Sequence, residues 1–184
     1  MNPIGAGFGV LGNLIESHRA AGAQQEVQEV LAKAGYNYES ALADSVYLAM
    51  GKAGFTVLRS KESRPEKERG RFMSHYESVN HVDAFLDVYA DYIGFQALQA
   101  SDDFRPHLEI SVRLVDAEDA KVLFQDRIVY GLSVATDEDA VLVRAEDTYR
   151  FRDRTALEAS PSQTAHALQG AIEAVAWELA KQFM

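Results

Sequence analysis

The chain has 184 residues, a formal net charge of −10, 47% hydrophobic and 25% charged residues, and no cysteine. That composition is ordinary for a globular protein long enough to bury about 70% of its unfolded surface. It excludes disulfides, thiolate metal sites and thiol nucleophiles, and the acidic balance argues against nucleic acid as a partner, which would need a basic footprint. No apolar run reaches the roughly 18 residues that a membrane-spanning helix requires.

Residues 1–35 form an apolar, glycine-rich leader followed by a helical segment, and residues 36–184 form a single α+β domain. The leader carries Gly7-Phe8-Gly9-Val10-Leu11-Gly12, which matches the dinucleotide fingerprint in letters only. Too little chain precedes Gly7 to form the strand that aims such a loop, and no strand ending in an acidic residue follows at the usual distance, so no cofactor is assigned. Leu11, Leu14, Ile15 and His18, and again Val27, Val30, Leu31 and Ala34, have helical spacing, with Gly22 between the two groups.

Asn37 is placed to cap a clearer helix with the buried stripe Ala41, Leu42, Ser45, Val46, Ala49 and Met50, ending near Gly51 and Gly54. Phe55 to Leu58 then reads as a short strand. Arg59 to Arg71 mixes arginine and lysine with Glu62, Glu66 and Glu68. It reads as a solvated loop, with an anion-binding arm as the alternative. Phe72 to Asn80 can supply a short edge strand.

The central scaffold is an antiparallel meander over 81–132, part of a sheet of four to five strands. In the first strand Val82, Ala84, Leu86, Val88, Ala90 and Tyr92 share one face, while Phe85, Asp87, Tyr89 and Asp91 share the other. Gly94 suggests a bulge. The second strand sets Leu108, Ile110, Val112 and Leu114 inward, and Asp116 to Ala120 forms the hairpin. The third strand has Val122, Phe124, Ile128, Tyr130 and Leu132 inward, interrupted by Asp126. With a loop at Ala117-Glu118-Asp119, Glu109 falls opposite Arg127.

Ala135 to Ala140 is loop-like, and Val141 to Phe151 reads as a further strand. Tyr149-Arg150-Phe151-Arg152 alternates aromatic and basic residues, either packing under a sheet or binding a polyanion. Ser160, Pro161 and Gln163 form a capping box for a C-terminal helix over 161–183. Its stripe Ala165, Leu168, Ile172, Val175, Ala176, Leu179 and Phe183 is expected to cross the apolar face of the sheet, so that helices cover one face. Trp177 lies off the stripe beside His166, Gly170 and Glu173.

No catalytic constellation emerges. Asp83, Asp87 and Asp91 share a strand face, but at ~3.3 Å per residue successive members lie 13 Å apart. They read as a solvated acidic face that Arg113 could modify from the neighbouring strand. The histidines (His18, His75, His81, His107 and His166) show no metal-binding spacing, although His81 and His107 could approach one another if their strands pair. The residues best suited to contact a partner are Phe85, Asp87, Tyr89, Arg150, Arg152 and Trp177.

Val82-Asp83-Ala84-Phe85-Leu86-Asp87-Val88, an aromatic-rich continuation to Phe95, and then Ile110-Ser111-Val112-Arg113-Leu114-Val115-Asp116, a turn and Val122-Leu123-Phe124 together resemble bacterial cell-envelope lipoproteins. Their soluble domain is similar to the amino-terminal domain of TolB and to the CsgG group. The resemblance spans roughly residues 36–183, and many members have glycine in the turn where Ala120 stands. It implies a non-enzymatic periplasmic domain in envelope assembly or maintenance. Such a domain would be tethered through a lipid-bearing cysteine upstream of Met1 and would act through other envelope proteins or further copies of itself. The alternatives are a small hydrolase using the sheet carboxylates, a carrier of a small apolar ligand, and a cytoplasmic location.

Overall fold

The computed structural model describes residues 27–60, 64–68, 70–76, 81–97, 103–131, 140–146 and 148–184. The leader, with its glycine motif and His18, lies outside the described residues, as do Leu98, Leu132 and the 135–139 loop. Helix α1 is described over residues 27–33 and places Val27, Val30 and Leu31 in the core. Helix α2 (Tyr38–Lys52) starts where Asn37 caps it, the side chain accepting from the Ser40 N–H at 2.9 Å. Phe55 to Leu58 leaves α2 without entering the sheet, which corrects the expected strand. Phe55, Thr56 and Val57 have high strand propensity but pair with no described strand, and pairing rather than propensity makes a strand.

The sheet contains β1 (Ala84–Ala97), β2 (Phe104–Asp116), β3 (Val122–Tyr130) and β4 (Val141–Val143) in the spatial order β1-β2-β3-β4. The first three are antiparallel as expected, but β4 runs parallel to β3, so the sheet is mixed. Side-chain alternation is the same in both pairings, so the pattern of β4 carries no direction. Among the described residues after β4, backbone pairing with the sheet resumes at a bridge between Phe104 and Phe151. Residues 72–76, part of the segment read as an edge strand, are not in the sheet either.

The bulge falls at Asp91 and not at Gly94: Ala90 pairs with Ile110 and Tyr92 with Glu109. Alternation therefore changes phase. Leu86, Val88 and Ala90 face the core before it, Ile93 and Phe95 after it, and Tyr92 turns to the other face. Helix α3 (Arg154–Ala159), capped by Asp153, leads into α4 (Pro161–Lys181). Ser160 occupies the N-cap position of α4 but makes no side-chain cap bond, so the capping box does not form. The expected stripe of α4 is buried: Leu168, Ile172 and Val175 are fully covered against Leu108, Ile110 and Val112. Helix α2 lies along α4 on the same side, joining Ala49 and Met50 to Ala176 and Ala180, and Phe183 meets Phe124 and Phe55 edge-on.

At the β2–β3 hairpin Asp116 accepts from the N–H groups of Glu118 and Asp119, and Ala120 takes φ +58°. This left-handed position favours glycine, because a Cβ there crowds the following carbonyl. Ala120→Gly is expected to raise stability by about 0.5–1 kcal/mol, the relieved strain exceeding the added unfolded-state entropy. An unchanged or lower urea midpoint would contradict this.

Candidate functional site

On the sheet face away from the helices, residues 64–68 and 70–76 form a strap across β1. Its anchor is Asp87, 4% exposed. The carboxylate accepts from Arg64, from the Met73 N–H at 2.7 Å and from the Tyr76 hydroxyl at 2.8 Å. Arg113, the cross-strand partner of Asp87, lies 3.8 Å away and donates to the Met73 carbonyl and to Tyr76. A carboxylate this covered needs several donors to replace its water. Phe85 stacks on Tyr76 at 5.2 Å, Tyr89 meets Phe72 edge-on at 4.9 Å, and Arg113 sits 4.4 Å over the Phe72 ring. Burial, and then the bond to Asp87, pushes the Tyr76 hydroxyl up to about 12.

Two expectations are corrected here. The acidic face is solvated at Asp83 and Asp91 but closed at Asp87, and Arg113 is its partner as the strand register allowed. The arginine-rich stretch is not a free loop over its described part, because Arg64 is committed to Asp87 and to the Val88 carbonyl. Phe85, Asp87 and Tyr89, expected at a partner interface, hold the strap.

Beyond the bulge the same face carries Tyr92, His107, Glu109 and Arg127. His107 Nε2 lies 3.0 Å from Glu109 Oε1, and Arg127 pairs with the other carboxylate oxygen. The His107 hydrogen bond first, and Arg127 after it, holds the Glu109 carboxyl below its ordinary range. Arg127 stands opposite Ser111, diagonal to Glu109 and not facing it, because Val115 and Val122 pair before a second bulge at Leu123. His107 pairs with Gly94 while His81 precedes the other end of β1, so the two do not meet.

Arg150 and Arg152 are exposed on either side of Phe151, which is buried edge-on against Phe95 at 5.5 Å; Tyr149 packs edge-on against His166. The alternation is thus an aromatic anchor with charged neighbours. These arginines flank the Phe104 bridge, at the end of β2 remote from Asp87 and from Arg64. Trp177 is 44% exposed on α4.

The least expected feature is apolar. Tyr47, Leu48, Gly51, Lys52, Phe55, Thr56 and Val57 line an open groove of about 440 Å³ on the outer side of α2. Leu48 and Leu58 are 58% and 65% exposed. Arg59 rests 4.5 Å over the Tyr47 ring and pairs with Asp44 at 2.5 Å. The sequence signal for this groove was the pair Tyr47-Leu48, which falls outside the buried stripe of α2. Among the described residues no helix is long and apolar enough to cross a membrane, and no three metal-ligating side chains converge. No protein family, curated protein or solved structure matches the chain.

Removing the Asp87 carboxylate leaves two guanidinium groups facing each other under the strap. Asp87→Ala is expected to cost roughly 3 kcal/mol in chemical denaturation; a loss under 1 kcal/mol, on the order of an exposed pair, would contradict burial of the network. Tyr76 contributes stability that is complete below pH 10.0 and is lost as pH rises toward about 12, since its folded-state value is raised. Tyr76→Phe should therefore flatten the alkaline limb of the stability profile relative to the parent chain, and an unaltered limb would refute this role.

Proposed function

We propose that the chain is a non-enzymatic binding domain of the bacterial cell envelope, held in the periplasm by a lipid anchor and working in envelope assembly or maintenance by docking other proteins. The observation that carries this reading is the groove on α2. Tyr47, Leu48, Phe55 and Leu58 keep 38%, 58%, 42% and 65% of their surface exposed, and a contiguous apolar cluster of this kind marks an interaction site. Three of the four flank one helix end, where a partner segment would replace water over a continuous strip.

The chemistry of the sheet face supports the same reading. Asp87 is committed to Arg64, Tyr76 and the Met73 N–H, while Glu109 is committed to His107 and Arg127. These carboxylates tie elements of the fold together. The envelope setting is supported by the order of helix, long strand, hairpin and final helix that resembles the TolB and CsgG domains.

A photoreactive residue at Leu48, introduced in cells of the native host, should give a discrete adduct with an envelope protein, a second copy of this chain included, while one at exposed Gln125 should not. Adducts at neither position, or equally at both, would overturn the docking role. Recovery of the native chain without lipid in the cytosolic fraction would overturn the envelope setting.

A further inference from the structure

Gly51 lies in the last turn of α2 with ordinary helical backbone, and a Cβ built on it would meet nothing within 4 Å. A glycine within a helix is less favourable than alanine, because it loses more conformational freedom on folding. Neither a left-handed conformation nor crowding inside the chain accounts for it. Its effect is to deepen the groove, leaving a hole between Tyr47 and Leu48 on one side and Phe55 and Val57 on the other. The single charged group lining that hole is Lys52, which is exposed and in no ion pair among the described residues.

The same chain carries a projection of matching chemistry. Trp177 is its single tryptophan and is 44% exposed on α4. Glu173, also exposed, precedes it by one helical turn and so shares its face. An aromatic anchor beside a carboxylate complements an apolar hole beside an unpaired ammonium, in shape and in charge.

We propose that a second copy of this chain seats its Trp177 in the α2 groove, its Glu173 reaching Lys52. This rests on reading the groove as a protein-docking surface. Knob and hole belong to different helices, so the contact closes as a dimer where the two copies exchange knobs and extends head to tail where they do not.

The single tryptophan reports on its own burial. Across a dilution series of the full chain from nanomolar to high-micromolar concentration, the emission should shift to the blue in step with a rise in mass by analytical ultracentrifugation. Gly51→Leu, a helix-favouring change that fills the hole, should leave the thermal midpoint unchanged or higher and weaken association by at least about tenfold. Lys52→Glu and Glu173→Lys should each weaken it, and the two together should restore it. A monomeric mass with constant emission throughout would overturn the proposal, as would association indifferent to both Gly51→Leu and Trp177→Ala. If self-association is missing while adducts from Leu48 to another protein persist, this proposal falls and the docking role stands. If both are missing, both fall.

Discussion

A strand offers each side chain one of two faces, and inserting one residue exchanges every face beyond it. The extra residue at Asp91 is the constraint on which this molecule turns. With continuous alternation Asp87 and Ile93 would share a face, and either the acid would lie under α4 or the isoleucine would lie in water. The bulge separates them. Leu86 and Val88 join the core before it, and Ile93 and Phe95 join it after it, so one apolar surface continues along a strand whose periodicity is broken.

The opposite face inherits what the core rejects, namely acids, arginines, aromatics and a histidine. It is too polar to accept a second layer of helices and too aromatic to be left bare. A short strap with its own arginine resolves this at Asp87, where charge is neutralised locally and Phe72 and Tyr76 cover Tyr89 and Phe85. A partly buried ion network of this kind adds little net stability over apolar packing, because desolvation offsets most of the attraction. What it adds is registry. The strap's placement gives Asp87 its donors while keeping the Met73 carbonyl on Arg113.

The parts legible in the sequence are those that a single periodicity decides. The stripes of α2 and α4, the inward face of β2, the Asn37 cap and the hairpin position all follow from residues a few places apart. Tyr149 and Phe151 also behave as packing aromatics. What was not legible depends on pairing between distant segments. No local pattern distinguishes a bulge at Asp91 from one at Gly94, and Gly94 was the more conspicuous residue. Asp87 reads as solvated until Arg64, over twenty positions away, is brought onto it. Val141 to Val143 alternates identically whether it runs parallel or antiparallel. The groove likewise depends on distant packing: Tyr47 and Leu48 look like ordinary neighbours of a buried stripe, and they stay exposed in the fold.

The placement of that groove on the helical side follows from how the sheet treats its edge. With the order β1-β2-β3-β4, the long strand β1 is an edge strand, and an unprotected edge is a template for pairing with other chains. Here the edge is interrupted by the Asp91 bulge, carries exposed Asp83 and Asp91, and has its Val88 carbonyl taken by Arg64. Strand addition along β1 would have to break a buried ion network and straighten a bulge. The other edge, β4, is three residues long, too short to hold a partner by backbone bonds alone. With the strap over one face and α4 over the other, Leu48, Phe55 and Trp177 stand open on the helical side, where a contact would leave the sheet and its ion network intact.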